Sequence, residues 1–267
     1  MPIKYFHTQF GLPPGRPSSS MVREFLTLIL REFRWFEPRR YGFASLGDPI
    51  DPNRLDLGAL VAYYEEHGNL YVAARTDRDF VSIYPTSTGA PPYTGSISWM
   101  TSASSASKAS WRAAHARQVV ELMRLVQSPL AQAGLDSDLH AKQWRLVHSS
   151  IPQDDGTEFT YSEELFTVRD YSEGLPGLVW RNFFGPPFIR MFGQRLQSLP
   201  SDCLARFGED LVLVQPYALP SDAGTPSGIA RERELISLLG PECFYDHQLH
   251  SLPSRRPFLD LLGQSFH

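Results

Sequence analysis

The sequence predicts an α+β fold in which a mixed, mainly antiparallel sheet packs against several amphipathic helices. Two observations predict it. Runs of two or three β-rich segments alternate with isolated helical segments, whereas a parallel α/β fold would alternate strand and helix regularly. The helical segments also place apolar residues at the i, i+3, i+4, i+7 spacing of a helix that is buried on one face. No internal repeat is visible in the chain.

A first helix is predicted after the turn-rich stretch 11–20, whose serines can accept hydrogen bonds from the free N–H groups of the first turn. Its apolar stripe comprises Val22, Phe25, Leu26, Ile29, Leu30 and Phe33. Pro38 ends the segment because proline cannot continue a helix. A short strand is then predicted at 41–46. A second helix follows at 54–67, which Gly68 can close because glycine enters the left-handed region freely.

The middle of the chain is predicted to contain three strands and one long helix. The strands lie at 69–75, 79–84 and 95–101, and a hairpin turn joins the first two. The helix spans 108–127, and its buried face carries Trp111, His115, Val119, Leu122 and Val126. Since His115 lies on this apolar stripe, we expect it to be a core histidine rather than a base.

The remaining elements are predicted from apolar runs and turn residues. They are a strand at 143–148, a polar loop at 149–158, a strand at 178–184, a helix that begins at Pro186-Pro187, a strand at 211–215 and a helix at 227–239. Apolar residues make up 42% of the 267-residue chain, which is enough for a substantial core. We expect one α+β domain over residues 1–267, with 149–157 as the segment that would divide two sub-lobes.

Charge and cysteine content narrow the class of protein. The net charge of −4 argues against a nucleic-acid partner and is compatible with a basic protein partner. Only Cys203 and Cys243 are present, without metal-ligand spacing, so we expect reduced thiols. The first residues lack the apolar stretch of a signal peptide, and no apolar run reaches 18 residues. The sequence therefore predicts a cytoplasmic protein without a membrane partner.

Motifs for catalysis are largely missing. The sequence contains no GxxxxGK[ST], GxGxxG, GxSxG or HExxH pattern. Glu163 and Glu164 are adjacent, so on a strand they would point to opposite faces and could not act as a pair. The run 231–234 alternates arginine and glutamate, which is typical of a solvated helix face. His140 and His148 flank a predicted strand, too far apart to share a site. We expect no enzyme activity and no cofactor.

One cluster keeps an enzymatic alternative open. Asp246, His247 and His250 are three potential metal ligands within five residues. They would require a further ligand from elsewhere in the chain. On this alternative the protein is a metal-dependent hydrolase. The other interpretation is a polar segment that leads into the tail at Pro253.

The stretch 174–193 carries a recognisable pattern. It reads Gly-Leu-Pro-Gly-Leu-Val-Trp-Arg-Asn-Phe-Phe-Gly-Pro-Pro-Phe-Ile-Arg-Met-Phe-Gly, a strand that ends in an aromatic-Gly-Pro turn and a helix that closes in glycine. This pattern resembles bacterial immunity proteins of the immunity protein 52 family and the similar type VI secretion immunity proteins. The looser layout extends over about 170–245. The residues that carry the resemblance are Trp180, Asn182, Gly185, Pro186, Pro187 and Gly193.

The resemblance implies a protein that binds a cognate toxin in the cytoplasm of the producing cell and needs no cofactor. The motif itself is expected to preserve the fold: Asn182 would hydrogen-bond the Gly185-Pro186-Pro187 turn, and Trp180 would fill the core on the same strand face. The binding surface is then expected elsewhere, in loops that carry acidic and aromatic residues. The predicted partner-binding residues are Asp77, Asp79, Tyr93, Asp154, Asp155 and Glu158.

Overall fold

The predicted α+β class is confirmed. The computed structural model describes residues 4–15, 17–43, 47–76, 78–153, 157–167 and 170–261. Its helices are α1 (Ser19–Thr27), α2 (Leu57–His67), α3 (Ala103–Ala106), α4 (Ala109–Val126), α5 (Asp136–Gln143), α6 (Pro186–Phe192) and α7 (Pro226–Leu239). A π-helical turn, Leu28–Glu32, extends α1, and a 3-10 segment, Gly193–Ser198, follows α6.

Twelve strands are described, and ten of them form one sheet. The strands are β1 (Tyr5–Gly11), β2 (Arg40–Gly42), β3 (Asp48–Pro49), β4 (Leu70–Ala73), β5 (Phe80–Tyr84), β6 (Ser96–Ser102), β7 (Leu130–Leu135), β8 (Trp144–Pro152), β9 (Glu158–Phe166), β10 (Arg181–Phe184), β11 (Leu204–Phe207) and β12 (Leu211–Val214). The sheet order is β11-β12-β10-β7-β1-β6-β5-β4-β2-β3, with antiparallel neighbours throughout. The hairpin β8–β9 forms a separate two-stranded sheet.

The two faces of the large sheet are covered differently. Side chains alternate along a strand, so Phe6, Thr8 and Phe10 of β1 are buried while its other side chains are partly exposed. The buried face packs against α1, α2 and α4 in one core. A second core forms on the opposite face, where α6 and α7 cover β10 and β12. Over β1, β5 and β6 this opposite face is left partly open.

Local signals explain where the helices begin and end. Ser18 accepts a hydrogen bond from the N–H of Met21 at 3.4 Å, so the predicted serine cap of α1 is confirmed. Asp56 caps α2 through the N–H groups of Gly58 and Ala59. Gly68 closes the same helix at a φ of 69°, where a residue without a Cβ avoids strain.

Several boundaries and elements differ from prediction. The strands β1, β7 and β11 and the helix α5 were not predicted, although β1 and β7 are adjacent strands in the interior of the sheet. The predicted polar loop at 149–158 is wrong for 149–152 and 158, which belong to the β8–β9 hairpin. The predicted divider 149–157 therefore lies within one hairpin. Of the predicted strand 41–46, residues 41–42 belong to β2, and 44–46 lie outside the described residues.

His115 is fully buried, so its prediction as a core residue is confirmed. Arg181 Nη1 donates to His115 Nδ1 at 3.1 Å, which makes Nδ1 the acceptor. The ring proton is then on Nε2, which donates to Thr8 Oγ1 at 3.0 Å. The same guanidinium lies 4.0 Å from the centre of the Trp180 ring. Burial, and secondarily the charge of Arg181, holds the pKa of His115 well below its usual value.

We expect this neutral histidine to make the fold less stable in mild acid. The unfolded chain takes up a proton at His115 near pH 6.5, while the folded chain does not, so the free energy of unfolding decreases as pH falls below that value. The slope from this group is at most about 1.4 kcal/mol per pH unit. Urea denaturation from pH 8 to pH 5 measures it. His115→Gln should reduce the slope, and an equal slope in both proteins would contradict the assignment.

Candidate functional site

Three of the six predicted partner-binding residues can be placed. Asp77, Asp154 and Asp155 lie outside the described residues. Asp79 is half-buried, and its carboxylate accepts a hydrogen bond from Thr101 Oγ1 at 2.5 Å. Tyr93 is also half-buried and packs against Tyr171, with ring centroids 5.3 Å apart. Asp79 and Tyr93 lie beyond opposite ends of β5, so the fold does not bring them together.

Glu158 is the one exposed residue among the three that the structure describes. It is the first residue of β9 and lies opposite Pro152 at the outer end of the hairpin. The proposed role of these residues in partner binding stays a prediction.

Trp180, Asn182, Gly185 and Pro187 of the motif are buried, but Asn182 does not bond the turn as predicted. Its Oδ1 accepts from the N–H of Val179 and from Gln132 Nε2, each at 3.0 Å. Its Nδ2 donates to the carbonyls of Val179 at 2.8 Å and Val214 at 3.1 Å. Asn182 therefore joins the start of β10 to its two neighbouring strands.

The other motif residues shape the ends of β10 and α6. Trp180 is fully buried and packs edge-to-face on Phe6, on the face of the sheet opposite to Asn182, so the predicted shared face is wrong. Gly185 donates its N–H to the carbonyl of Pro129 at 2.8 Å, which fixes the junction without Asn182. Pro186 and Pro187 occupy the first turn of α6 as predicted, and Gly193 follows at a φ of 58°.

The predicted metal cluster is organised as a turn. Asp246 Oδ1 accepts from the N–H groups of Gln248 at 2.8 Å and Leu249 at 2.9 Å, and these bonds lower the pKa of Asp246. His247 Nε2 lies 2.9 Å from the carbonyl oxygen of Pro176. Within the described ranges, no group of three or more His, Cys, Asp or Glu side chains is placed to hold a metal ion. The residues Asp246, His247 and His250 thus do not form a metal site in this arrangement.

A buried ion cluster lies beside the cleft that Asp246 and His247 line. Lys142 Nζ is 2.9 Å from Asp138 Oδ1 and 2.8 Å from Glu232 Oε2. Tyr217 donates to Glu232 Oε1 at 3.0 Å, and burial raises the pKa of Glu232. Glu232 belongs to the run 231–234, so the prediction of a solvated face is wrong at this residue. Its partners Lys142 and Tyr217 come from other parts of the chain, which the spacing within the run does not report.

The hairpin β8–β9 is the most exposed structured element, and sequence reasoning missed most of it. Nine residue pairs join its strands, which gives a length of about 26 Å. Among the described strands, none of the large sheet pairs with either of its edges. Its two strands are mostly exposed along their length. Such an isolated ribbon has little core of its own.

Contacts at its base hold the hairpin to the rest of the fold. Arg145 Nη1 binds Glu173 Oε2 at 2.8 Å. The ring of His140, on α5, stacks on Phe166 with centroids 4.3 Å apart, and Trp144 Nε1 donates to His140 Nδ1 at 3.1 Å. His140 and His148 thus lie on a helix and a strand, not at two ends of one strand.

One face of the hairpin is rich in apolar side chains. The register places Val147, Ile151, Phe159, Tyr161 and Leu165 on that face, which we call the docking face. Phe159 is 57% exposed, Ile151 49% and Leu165 38%. The alternation of apolar and polar residues over 158–166 was the available signal for β9. Large apolar side chains exposed on a projecting element are typical of protein interaction surfaces.

Comparison with known proteins gives a fold relationship without a family assignment. No family model matches the sequence, and no curated protein matches it. The resemblance to the immunity protein 52 family is thus not supported by a family match. The type VI secretion system protein PA0821 of Pseudomonas aeruginosa has a similar solved structure. The likeness has a TM-score of 0.54 and 10% identity, and covers 90% of this chain and 74% of that chain. In the part of this chain that the structure describes, no helix is both long and apolar enough to cross a membrane.

Proposed function

We propose that this protein is an immunity protein that binds a cognate secreted bacterial toxin and neutralises it, acting by binding rather than by catalysis. The observation that carries the proposal is the fold likeness, over 90% of the chain, to a protein named for the type VI secretion system. Secretion systems of this kind deliver toxins, and the producing cell needs a binding protein against each of them. The motif at 174–193 supports the same conclusion from the sequence side.

The exposed hairpin supports a binding role on physical grounds. Its docking face leaves aromatic and aliphatic surface in water, which a partner protein would cover with a gain of about 25 cal/mol for each Å² of apolar area. On this proposal the protein acts in the cytoplasm of the toxin-producing cell and needs no cofactor and no nucleic-acid partner. The metal-dependent hydrolase has no comparable support, because Asp246 and His247 are engaged with backbone groups.

Co-expression tests the proposed function. A candidate toxin domain from a neighbouring gene is expressed in a bacterial host with and without this protein, and surviving colonies are counted. We expect survival to increase by several orders of magnitude and the two proteins to purify as a complex. His247→Ala/His250→Ala should rescue as well as the unaltered protein. Loss of rescue in that folded double variant would favour the hydrolase, and absence of both rescue and complex would contradict the proposal.

A further inference from the structure

The charge of the chain is concentrated in the hairpin. The segment 144–166 contains five of the 29 acidic residues and one of the 25 basic residues. The rest of the chain therefore has 24 of each, so this segment accounts for the whole net charge of −4. Its basic residue, Arg145, is already paired with Glu173 at the base. Among the described residues of β8 and β9, the glutamates Glu158, Glu163 and Glu164 therefore outnumber the one arginine.

Acidic and apolar side chains share the same element but divide between its faces and its tip. Glu163 lies on the docking face between Tyr161 and Leu165, while Glu164 points to the opposite face. Glu158 is at the tip, opposite Pro152. All three glutamates are exposed. The docking face therefore carries one exposed carboxylate among its apolar side chains, and two more lie on the opposite face of the same ribbon.

The apolar side chains are arranged as a small anchor. Phe159 and Tyr161 stack at 6.2 Å between ring centroids with an interplanar angle of 17°. Ile151 is directly opposite Phe159 in the register, so the two side chains are neighbours. Aromatic side chains at the centre of an interface contribute most of the binding energy in many complexes. A single projecting ribbon can place this anchor inside a cleft that a flat surface could not enter.

The negative charge of the hairpin determines which kinds of partner surface could bind these apolar side chains. Two copies of the chain would bring like charges together at the hairpin, which opposes self-association. An anionic membrane surface or a nucleic acid would be repelled by the same residues. A basic protein surface would be attracted, and the attraction would accelerate association.

We infer that the β8–β9 hairpin is the docking element, and that its docking face inserts into an apolar cleft bordered by lysine and arginine side chains on the toxin. This inference rests on the proposed function and adds the surface and the partner's chemistry to it.

The apolar arm of the test measures the dissociation constant for the full-length protein and a catalytically inactive toxin domain. Ile151→Ala/Phe159→Ala should weaken binding at least about 100-fold. Phe43→Ala is the matched control, because Phe43 is 63% exposed and follows β2, near the far edge of the large sheet. The control should bind as the unaltered protein does. Circular dichroism and the melting temperature verify that each variant is folded.

The charge arm needs no apolar change and keeps the test valid if the first variant does not fold. Glu163→Gln/Glu164→Gln should slow association about 10-fold at low salt and have little effect at about 0.5 M salt. Glu65→Gln/Glu66→Gln is the matched control, an adjacent exposed pair on α2. Equal slowing by both pairs would show a general charge effect and overturn the assigned surface.

The outcomes separate this inference from the proposed function. Rescue by the unaltered protein together with undiminished binding by both hairpin variants would overturn the docking element and leave the immunity function in place. Failure of the unaltered protein to bind or rescue would overturn both. Concentration-dependent dimers that Ile151→Ala/Phe159→Ala dissociates would assign the docking face to a second copy of the chain, against the inference.

Discussion

Replacing Asn182 with alanine is expected to lower the free energy of unfolding by about 4 kcal/mol. The side chain is fully buried and makes four hydrogen bonds, with Val179, Gln132 and Val214. Truncation removes these four bonds in the buried interior, where each donor or acceptor left without a partner costs about 1–3 kcal/mol, although Gln132 keeps its bond to the carbonyl of Gly177. Urea denaturation of the purified protein, followed by circular dichroism, measures the loss.

Two further variants define the cause of this expected loss. Asn182→Leu keeps most of the side-chain volume and removes every hydrogen bond, so it should be as destabilised as the alanine variant. Asn69→Ala removes an amide that donates to the carbonyl of His67 near the surface, and should cost no more than about 0.5 kcal/mol. If Asn182→Leu were as stable as the unaltered protein, packing rather than hydrogen bonding would be the contribution of Asn182.

Asn182 also illustrates what the sequence could predict about the motif. A structural role follows from its place near the end of a predicted strand, just before the turn at 185–187. Its partners do not, because Gln132 and Val214 lie 50 and 32 residues away in the chain. Only the order of strands in the sheet brings β7 and β12 to either side of β10. A pattern read along one segment contains no information about that order.

Strands β7 and β1 were not predicted, for two different reasons. β7 reads Leu-Ala-Gln-Ala-Gly-Leu, and alanine, glycine and glutamine have little preference for strands, so burial between β1 and β10 decides its conformation. β1 alternates regularly, with Phe6, Thr8 and Phe10 on one face, so its signal was present. The helices α2, α4 and α7 were predicted within three residues of their observed bounds, because their apolar spacing is a local property, whereas the predicted stripe of α1 continues into the π-helical turn.

The candidate site was partly predictable for the same reasons. Of the predicted acidic residues 154–158, Glu158 lies on the hairpin that carries the proposed docking face. The docking face could not be predicted while 149–158 was interpreted as a loop, because a loop has no register. Once Ile151 pairs with Phe159, the period of two places Tyr161 and Leu165 on the same face. The strand register therefore places apolar residues that are separated in the sequence on one face of the hairpin.

Replacing Lys142 with methionine is expected to lower the free energy of unfolding by about 3 kcal/mol at pH 7. The ammonium group compensates two carboxylates, those of Asp138 and Glu232, and also bonds the carbonyl of Leu178. Methionine fills the space but leaves both carboxylates without the opposite charge. An exposed control, Lys108→Met, should change stability by no more than about 0.5 kcal/mol.

The pH dependence of this loss identifies the uncompensated carboxylate. Burial already raises the pKa of Glu232, and Lys142 opposes the shift, so removal of Lys142 raises this pKa further. A raised folded-state pKa favours the folded state at low pH, and this stabilisation disappears as pH rises through that value. The loss in unfolding free energy caused by Lys142→Met should therefore become smaller between pH 7 and pH 5.

The double variant Lys142→Met/Glu232→Gln should recover at least half of this loss at pH 7, because the amide oxygen can still accept a hydrogen bond from Tyr217. A deficit that is independent of pH and unchanged in the double variant would show that Lys142 acts by packing its aliphatic chain, not by its charge.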